Sequence, residues 1–307
     1  MAGELSRKIG EEGEALARNF LKRIGWQIAA ENKDIVCEWP SEHGRSQTRE
    51  ATHGIDFIVA YDCPLVHSTR RNILISMKNS HIEKTRNQQT RVRDDLRDLE
   101  NAITCYRRSS LRAEINRDSG AHVIEDSGIL IKINRDKGEA ESFLKSTDSS
   151  SRLDIGGEHD IHFIENKRFD LVDLAVKWLF DERREGANRS FYPSTTSNYA
   201  ADVAEIEGNV IPLHHVVAGP LTFRHVEGGK KELVIFSSTG FSRTAFERLV
   251  GLANGCSAGW ASHVTIVFWD LSVEQKEEAE DALRGVRSKE LAQSVAIESM
   301  DPRTRTR

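Results

Sequence analysis

Gly54-Ile-Asp-Phe-Ile-Val-Ala60 and Asn72-Ile-Leu-Ile-Ser-Met-Lys-Asn79 decide the fold of this chain. Each is a short apolar run rich in β-branched residues, and the eleven residues between them, which include Pro64, suffice to close a hairpin. The two-residue period of a strand puts Ile73, Ile75 and Met77 on one face and Leu74, Ser76 and Lys78 on the other. A lysine that ends an apolar strand either finds water past the strand end or serves a site there. Asp56, flanked by Ile55 and Phe57, is likewise an acid set in an apolar strand. If the two runs pair antiparallel, Asp56 lies beside Ser76 and Lys78. A carboxylate and an ammonium at one strand mouth suit metal-assisted phosphodiester hydrolysis, with the acid on a divalent ion and the lysine against developing phosphorane charge. They equally suit a semi-buried salt bridge.

Upstream, a helix is expected over residues 4–24, where Ile9, Gly13, Leu16, Phe20 and Ile24 recur along one stripe. Gly25 should end it, and Trp26–Ala30 reads as a strand. Residues 31–53 are polar and irregular. Downstream, residues 86–108 read as an amphipathic helix on the stripe Val92, Leu96, Leu99, Ile103 and Tyr106, and Gly128–Ile133 as a strand. Residues 134–158, rich in Ser, Asp, Gly and Lys, read as a long loop. His162–Ile164 is a short strand before a helix over Asp170–Arg184, and 185–200 is loop-like. The last third alternates strands (Val210–Val217, Leu221–His225, Glu232–Ser237, Val264–Trp269) with helices near Ser242–Asn254 and Glu274–Arg284. Trp178, Trp260 and Trp269 fall on apolar stripes and are expected in the core.

The 307 residues exclude a single small module, and 38% hydrophobic with 30% charged residues excludes a disordered chain. The net charge of -5 hides a segregation: residues 68–113 hold eleven basic and five acidic side chains. Such a surplus fits a local polyanion-binding face, or an ordinary solvated helix face. Cys37, Cys63, Cys105 and Cys256 show no C-x-x-C pairing, and the amino terminus is too charged for a secretory signal, so a cytoplasmic protein with free thiols is expected. Residues 249–269 carry no Asp, Glu, Lys or Arg, but Gly251, Asn254, Gly255 and Gly259 break the run, so no membrane association is expected. Glu158-His-Asp-Ile-His162 and His214-His215 lack a third ligand at recognisable spacing, so no zinc site is expected. No P-loop, G-x-G-x-x-G or G-x-S-x-G occurs.

The segment Gly10-Glu-Glu-Gly-Glu-Ala-Leu-Ala-Arg-Asn-Phe-Leu-Lys-Arg-Ile-Gly-Trp-Gln-Ile28, followed by Gly54-Ile-Asp-Phe57 and Ile73-Leu-Ile-Ser-Met-Lys-Asn-Ser80, resembles the PD-(D/E)XK nuclease superfamily, nearest to Holliday-junction resolvases and Mrr-type restriction enzymes. Leu233-Val-Ile-Phe-Ser-Ser-Thr-Gly-Phe-Ser-Arg-Thr-Ala245 resembles the Mrr-type strand-to-helix turn. The resemblance implies an α/β protein with a restriction-endonuclease-like mixed sheet flanked by helices, with insertions and a C-terminal sheet extension. It implies that Glu14, Asp56, and Ser76 with Lys78 form the catalytic set, with Asp56 and Glu14 binding Mg²⁺, or Mn²⁺ in its place. Glu14 also has the plainer reading of a surface helix glutamate. Asn79, Arg86, Arg91, Arg93 and Arg97 are the expected DNA contacts. Ser76 departs from the family, which carries an acid there, and a hydroxyl is a poor ligand without charge. Asp94, Asp95 and Glu83 are acids of the following helix region that could substitute, though none has the familiar spacing.

The expected organisation is a nuclease-like core over 1–133, an insertion over 134–200, and C-terminal strands and helices over 201–307 that extend the core or form a second subdomain. The expected function is a metal-dependent DNA endonuclease in prokaryotic defence against foreign DNA, acting as a homo-oligomer or with a partner nuclease or defence subunit. The rival is a catalytically degenerate subunit that binds DNA or scaffolds an active partner.

Overall fold

The computed structural model describes residues 2–44, 51–80, 88–134, 157–179, 189–192, 207–257, 260–286 and 288–300. The chain divides into two compact units, Met1–Asp170 and Leu171–Arg307.

The first unit runs α1 (Ala2–Arg23), β1 (Ile28–Val36), α2 (Pro40–His43), β2 (Thr52–Asp62), β3 (Thr69–Ser80), α3 (Gln88–Tyr106), α4 (Ser110–Ile115), β4 (Val123–Asn134) and β5 (Ile161–Glu165), and enters α5 (Asn166–Leu179). The five strands form one mixed sheet in sequence order. β1, β2 and β3 pair antiparallel, while β3–β4 and β4–β5 pair parallel. The parallel pairs need crossovers, and α3 with α4 supplies the first. This is the mixed sheet flanked by helices that the resemblance implies. The unit runs past residue 133 because Gly128–Lys132 pairs with Ile161–Glu165 and so carries a fifth strand into the sheet.

The sheet is covered on both faces. Val92, Leu96, Leu99, Ile103 and Tyr106 of α3 pack on Ile58, Leu74 and Leu130 in one buried cluster. Each such side chain contributes about 1.5–3 kcal/mol through burial. α3 comes so close to β4 that a Cβ at Gly128 would stand 2.8 Å from Ile103 Cδ1. α1 lies against β3 and buries Ala17, Phe20 and Leu21, with Phe20 stacked on Phe169 at 4.3 Å between centroids. Gly25, at φ 80°, takes the left-handed conformation that ends α1.

The region 31–53, expected to be irregular, instead continues β1 to Val36, forms the single turn α2, and starts β2 at Thr52; residues 45–50 lie outside the described residues. Polar residues fill β1 because it is the sheet's edge strand. Residues 135–156 of the expected long loop lie outside the described residues.

The second unit forms a separate six-stranded sheet. Its elements are β6 (Arg189–Phe191), β7 (Glu207–Gly208), α6 (Leu213–Val217), β8 (Leu221–Glu227), β9 (Lys230–Phe236), α7 (Arg243–Ser257), β10 (His263–Trp269), α8 (Val273–Arg284), α9 (Lys289–Ser294) and β11 (Val295–Met300), in the order β11-β10-β9-β8-β6-β7. Val210–Val217, expected as a strand, is a short helix from Leu213. Pro212 occupies its N-cap, and Leu213 and Val216, three apart, are its buried pair. The Ser-Thr-Gly-Phe-Ser turn lies between β9 and α7, where Ser242 Oγ accepts from Ala245 N at 3.2 Å. Trp178 is half-buried, edge-on to Phe236 at 5.3 Å.

Candidate active site

β2 and β3 are paired from Asp62–Arg70 up to Phe57–Ile75, after which β2 continues against β1 and β3 against β4. Asp56 and Ser76 are the first residues past that parting. The Asp56 side chain takes over from the ladder: its Oδ2 accepts the Met77 N–H at 2.6 Å. Ile58 and Leu74 both pack toward α3, and the unbroken β3–β4 register places Ser76 and Lys78 on that same face. Ile55, three residues before Ile58, packs there too, so the alternation of β2 is interrupted at Asp56 and Phe57. Burial pushes the Asp56 carboxyl above its ordinary value, the Met77 N–H and the Lys78 ammonium pull it back, and the Glu14 charge pushes it up again. Lys78 and Glu14 thus both act electrostatically on Asp56.

Glu14 reaches this place because the helix before it has no side chain at the crossing. A Cβ at Gly13 would stand 2.8 Å from Asn79 Cβ, so only glycine lets α1 lie this close to the end of β3. Asn32 Nδ2 donates to Glu14 Oε2 at 3.3 Å. Asn32 sits at φ 48°, a left-handed conformation that Asn tolerates, beside the register shift of β1. One turn along α1, Arg18 grips Glu31 through Nη2–Oε2 at 2.6 Å and Nε–Oε1 at 3.1 Å, tying α1 to β1. That hydrogen-bonded pairing holds the Glu31 carboxyl below the usual range.

Ser76 is buried at 8% exposure, whereas Lys78 is exposed. Lys78 stands in register with Lys132 of β4. Burial lowers the Lys132 ammonium's pKa, Asp95 opposes that, and Arg91 adds to it, so these two α3 residues face Lys132. Lys132 and Asn32 were not among the residues expected from the sequence. Lys132 carries the same signal as Lys78, a lysine in the apolar strand Gly128-Ile-Leu-Ile-Lys-Ile133. Asn32 carries none, since only the fold puts it beside Glu14.

Arg91 and Arg97 are exposed on α3, Arg93 is half-buried, and Arg86 lies outside the described residues, as does Glu83. Asn79, expected as a DNA contact, is half-buried with its Cβ under Gly13. Much of the basic surplus is matched by acids elsewhere: Arg70 pairs with Asp62, Arg71 with Glu125, and Arg112 with Asp126. Among the described residues Lys78, Arg91 and Arg97 form no ion pair. The unmatched charge therefore gathers on β3 and α3, the elements that frame the Asp56 corner.

A family model for the GAPS4 protein PD-(D/E)XK nuclease domain matches residues 1–168 of this chain. No curated protein matches. Among solved structures the chain aligns with the beta subunit of geranyl-CoA carboxylase from P. aeruginosa at 12% identity, over 87% of this chain and 70% of that one. The TM-score of that alignment is 0.15. No helix among the described residues is long and apolar enough to cross a membrane.

Proposed function

We propose, since this chain belongs to the family of GAPS4 protein PD-(D/E)XK nuclease domains, that it is a divalent-metal-dependent DNA endonuclease serving prokaryotic defence against foreign DNA. The observation that carries the proposal is Asp56: a carboxylate held at the parting of two strands, within electrostatic reach of one ammonium and one further carboxylate. Asp56 with Glu14 near it fits a divalent cation, because burial and the Glu14 charge both disfavour the ionised form of Asp56 and a cation beside it relieves both. Held there, Mg²⁺ or Mn²⁺ supplies Lewis-acid polarisation of a phosphate oxygen and a more acidic water.

The chain's own residues do the rest. The Met77 N–H fixes one Asp56 oxygen and leaves the other for the ion. Asn32 orients the Glu14 carboxylate from outside. Lys78, exposed and charged, is placed against the charge that develops on the phosphoryl oxygens. Arg91 and Arg97 take backbone phosphates of the DNA, which fixes its register without reading sequence.

The second reading, a nuclease-fold subunit that binds DNA or scaffolds an active partner, is favoured by Ser76, which puts a neutral buried hydroxyl where the family carries an acid. A plasmid-nicking assay in Mg²⁺ and in Mn²⁺, with and without neighbouring gene products, separates the two. Nicking abolished by Asp56→Ala and by Lys78→Ala supports the enzyme. DNA binding with no nicking under any partner combination supports the subunit.

A further inference from the structure

Four side chains that the Asp56 chemistry does not use converge in the first unit. Cys37 follows β1, His43 ends α2, His53 lies in β2 and Cys105 lies in the last turn of α3. Their ligating atoms all fall within 4.8 Å of one another. His43 Nδ1 is 3.4 Å from Cys37 Sγ, 3.3 Å from His53 Nε2 and 3.6 Å from Cys105 Sγ.

A hydrogen-bond network does not account for this packing. A neutral imidazole nitrogen carries either one proton or one lone pair, so His43 Nδ1 satisfies one of its three neighbours and leaves two. A tetrahedral ion accounts for all of them. With Zn–N near 2.0–2.1 Å and Zn–S near 2.3 Å, the edges of the tetrahedron are about 3.3 Å between nitrogens and about 3.6 Å between nitrogen and sulfur. The three distances above match those edges.

We propose that Cys37, His43, His53 and Cys105 form a structural Cys₂His₂ zinc site. On binding, both thiols release their protons to solvent, and two Zn–S and two Zn–N bonds form. The two thiolates cancel the ion's charge, which suits a place where Cys37, His53 and Cys105 are 5%, 7% and 1% exposed. The surroundings are those of a thiolate site: the Glu38 N–H donates to Cys105 Sγ at 3.4 Å. Trp39 lies beside the His43 ring at 5.5 Å and is covered in turn by the Arg108 guanidinium at 4.6 Å. Four protein ligands leave no open position, so the ion is structural and distinct from the nuclease metal. It pins the C-terminal end of α3 to the β1–β2 edge, and His53 lies three residues before Asp56 on the same strand.

The intervals of 6 and 10 residues between the first three ligands, and of 62 from His43 to Cys105, have none of the regularity that betrays a zinc motif. The four cysteines expected as unconnected free thiols therefore divide into two ligands, Cys37 and Cys105, and two bystanders.

The test is elemental analysis of the full chain, purified under reducing conditions without chelator, with cobalt replacement alongside. One zinc per chain is expected, and Co²⁺ refilling should give the strong visible bands of tetrahedral coordination with thiolate-to-metal charge transfer. Cys37→Ser with Cys105→Ser should lose the metal, while Cys63→Ser, Cys256→Ser and Asp56→Asn should keep it. Because the double variant can fail to fold, the cobalt spectrum of the unaltered chain stands as an independent readout. Absence of zinc together with no Co²⁺ uptake, or zinc retained by the double variant, overturns the proposal.

Discussion

Replacing Asp56 with Asn separates what the carboxylate does for chemistry from what it does to the fold. Burial, with Glu14 adding to it, raises the folded-state pKa above the ordinary aspartate value of 3.8. The native chain therefore holds this proton more tightly than the unfolded chain does. The stability linked to Asp56 is fully present below pH 3.8 and is lost as pH rises through the folded pKa. Each tenfold difference in proton affinity between the two states amounts to about 1.4 kcal/mol at neutral pH. Asn keeps a carbonyl oxygen for the Met77 N–H, which Asp56 accepts at 2.6 Å, and carries no charge. Asp56→Asn is thus expected to raise the unfolding midpoint at pH 7 by about 2–4 °C per kcal/mol recovered. The gain should shrink to nothing as pH falls to about 3.8. Nicking should meanwhile drop by roughly 10²-fold or more, the usual cost of losing a preorganised charged group. Calorimetric melts of both proteins across this pH range, with nicking rates at pH 7, give both quantities. A lower midpoint at neutral pH, or nicking equal to the unaltered protein, would refute the reasoning.

Gly13→Ala should cost about 1–3 kcal/mol by urea unfolding, because the new Cβ meets Asn79 Cβ at 2.8 Å, and should cost nicking more than stability because Glu14 moves with α1. DNA affinity should fall with salt at a log–log slope near -2.7 if Lys78, Arg91 and Arg97 each release one counterion, and Arg91→Glu with Arg97→Glu should flatten it by about 1.8. An unchanged slope assigns α3's outer face to water. Ser76→Glu should tighten Mn²⁺ binding in a calorimetric titration if the corner holds a metal at all. Flat traces for both proteins speak for the non-catalytic subunit.

The first unit was legible where side-chain period carried the information. Phe57 opposite Ile75, and Asp56 beside the end of that pairing, follow from alternation and from the length of the hairpin. α3 was legible through its apolar stripe, which is the stripe the cluster buries. What failed was of two kinds. β1 beyond Ala30 reads as loop because an edge strand with solvent on one side tolerates Glu31, Asn32 and Lys33, which hide the period. α6 reads as a strand because Val210, Ile211, Val216 and Val217 are β-branched, and Pro212 at the N-cap outweighs that preference. The cluster of Cys37, His43, His53 and Cys105 was missed for another reason: its members come from three elements and the connection after β1, so their closeness is a property of the fold and not of any stretch of sequence.

Ser76 gives the corner a particular charge arrangement, from which the order of assembly follows on the proposed reading. The carboxylates proposed there as ligands are Asp56 and Glu14, while Lys78, Lys132 and Arg91 bring positive charge from β3, β4 and α3, opposed by Asp95. With the family's third acid replaced by a buried hydroxyl, the corner attracts a cation weakly and a phosphate strongly. Mg²⁺ binds well through one or two carboxylates when substrate phosphate completes its shell. DNA and metal should then each raise the other's affinity by one common factor, because binding linkage is reciprocal. The unloaded protein should accordingly show little metal affinity, and DNA carrying a non-hydrolysable phosphate should restore it. Removing Lys78 should weaken metal binding in the presence of DNA although Lys78 is no ligand, since the phosphate it holds is part of the metal's shell. A chain that binds Mn²⁺ equally with and without DNA would carry its third anionic ligand elsewhere, and Asp95 on α3 is the residue to replace first.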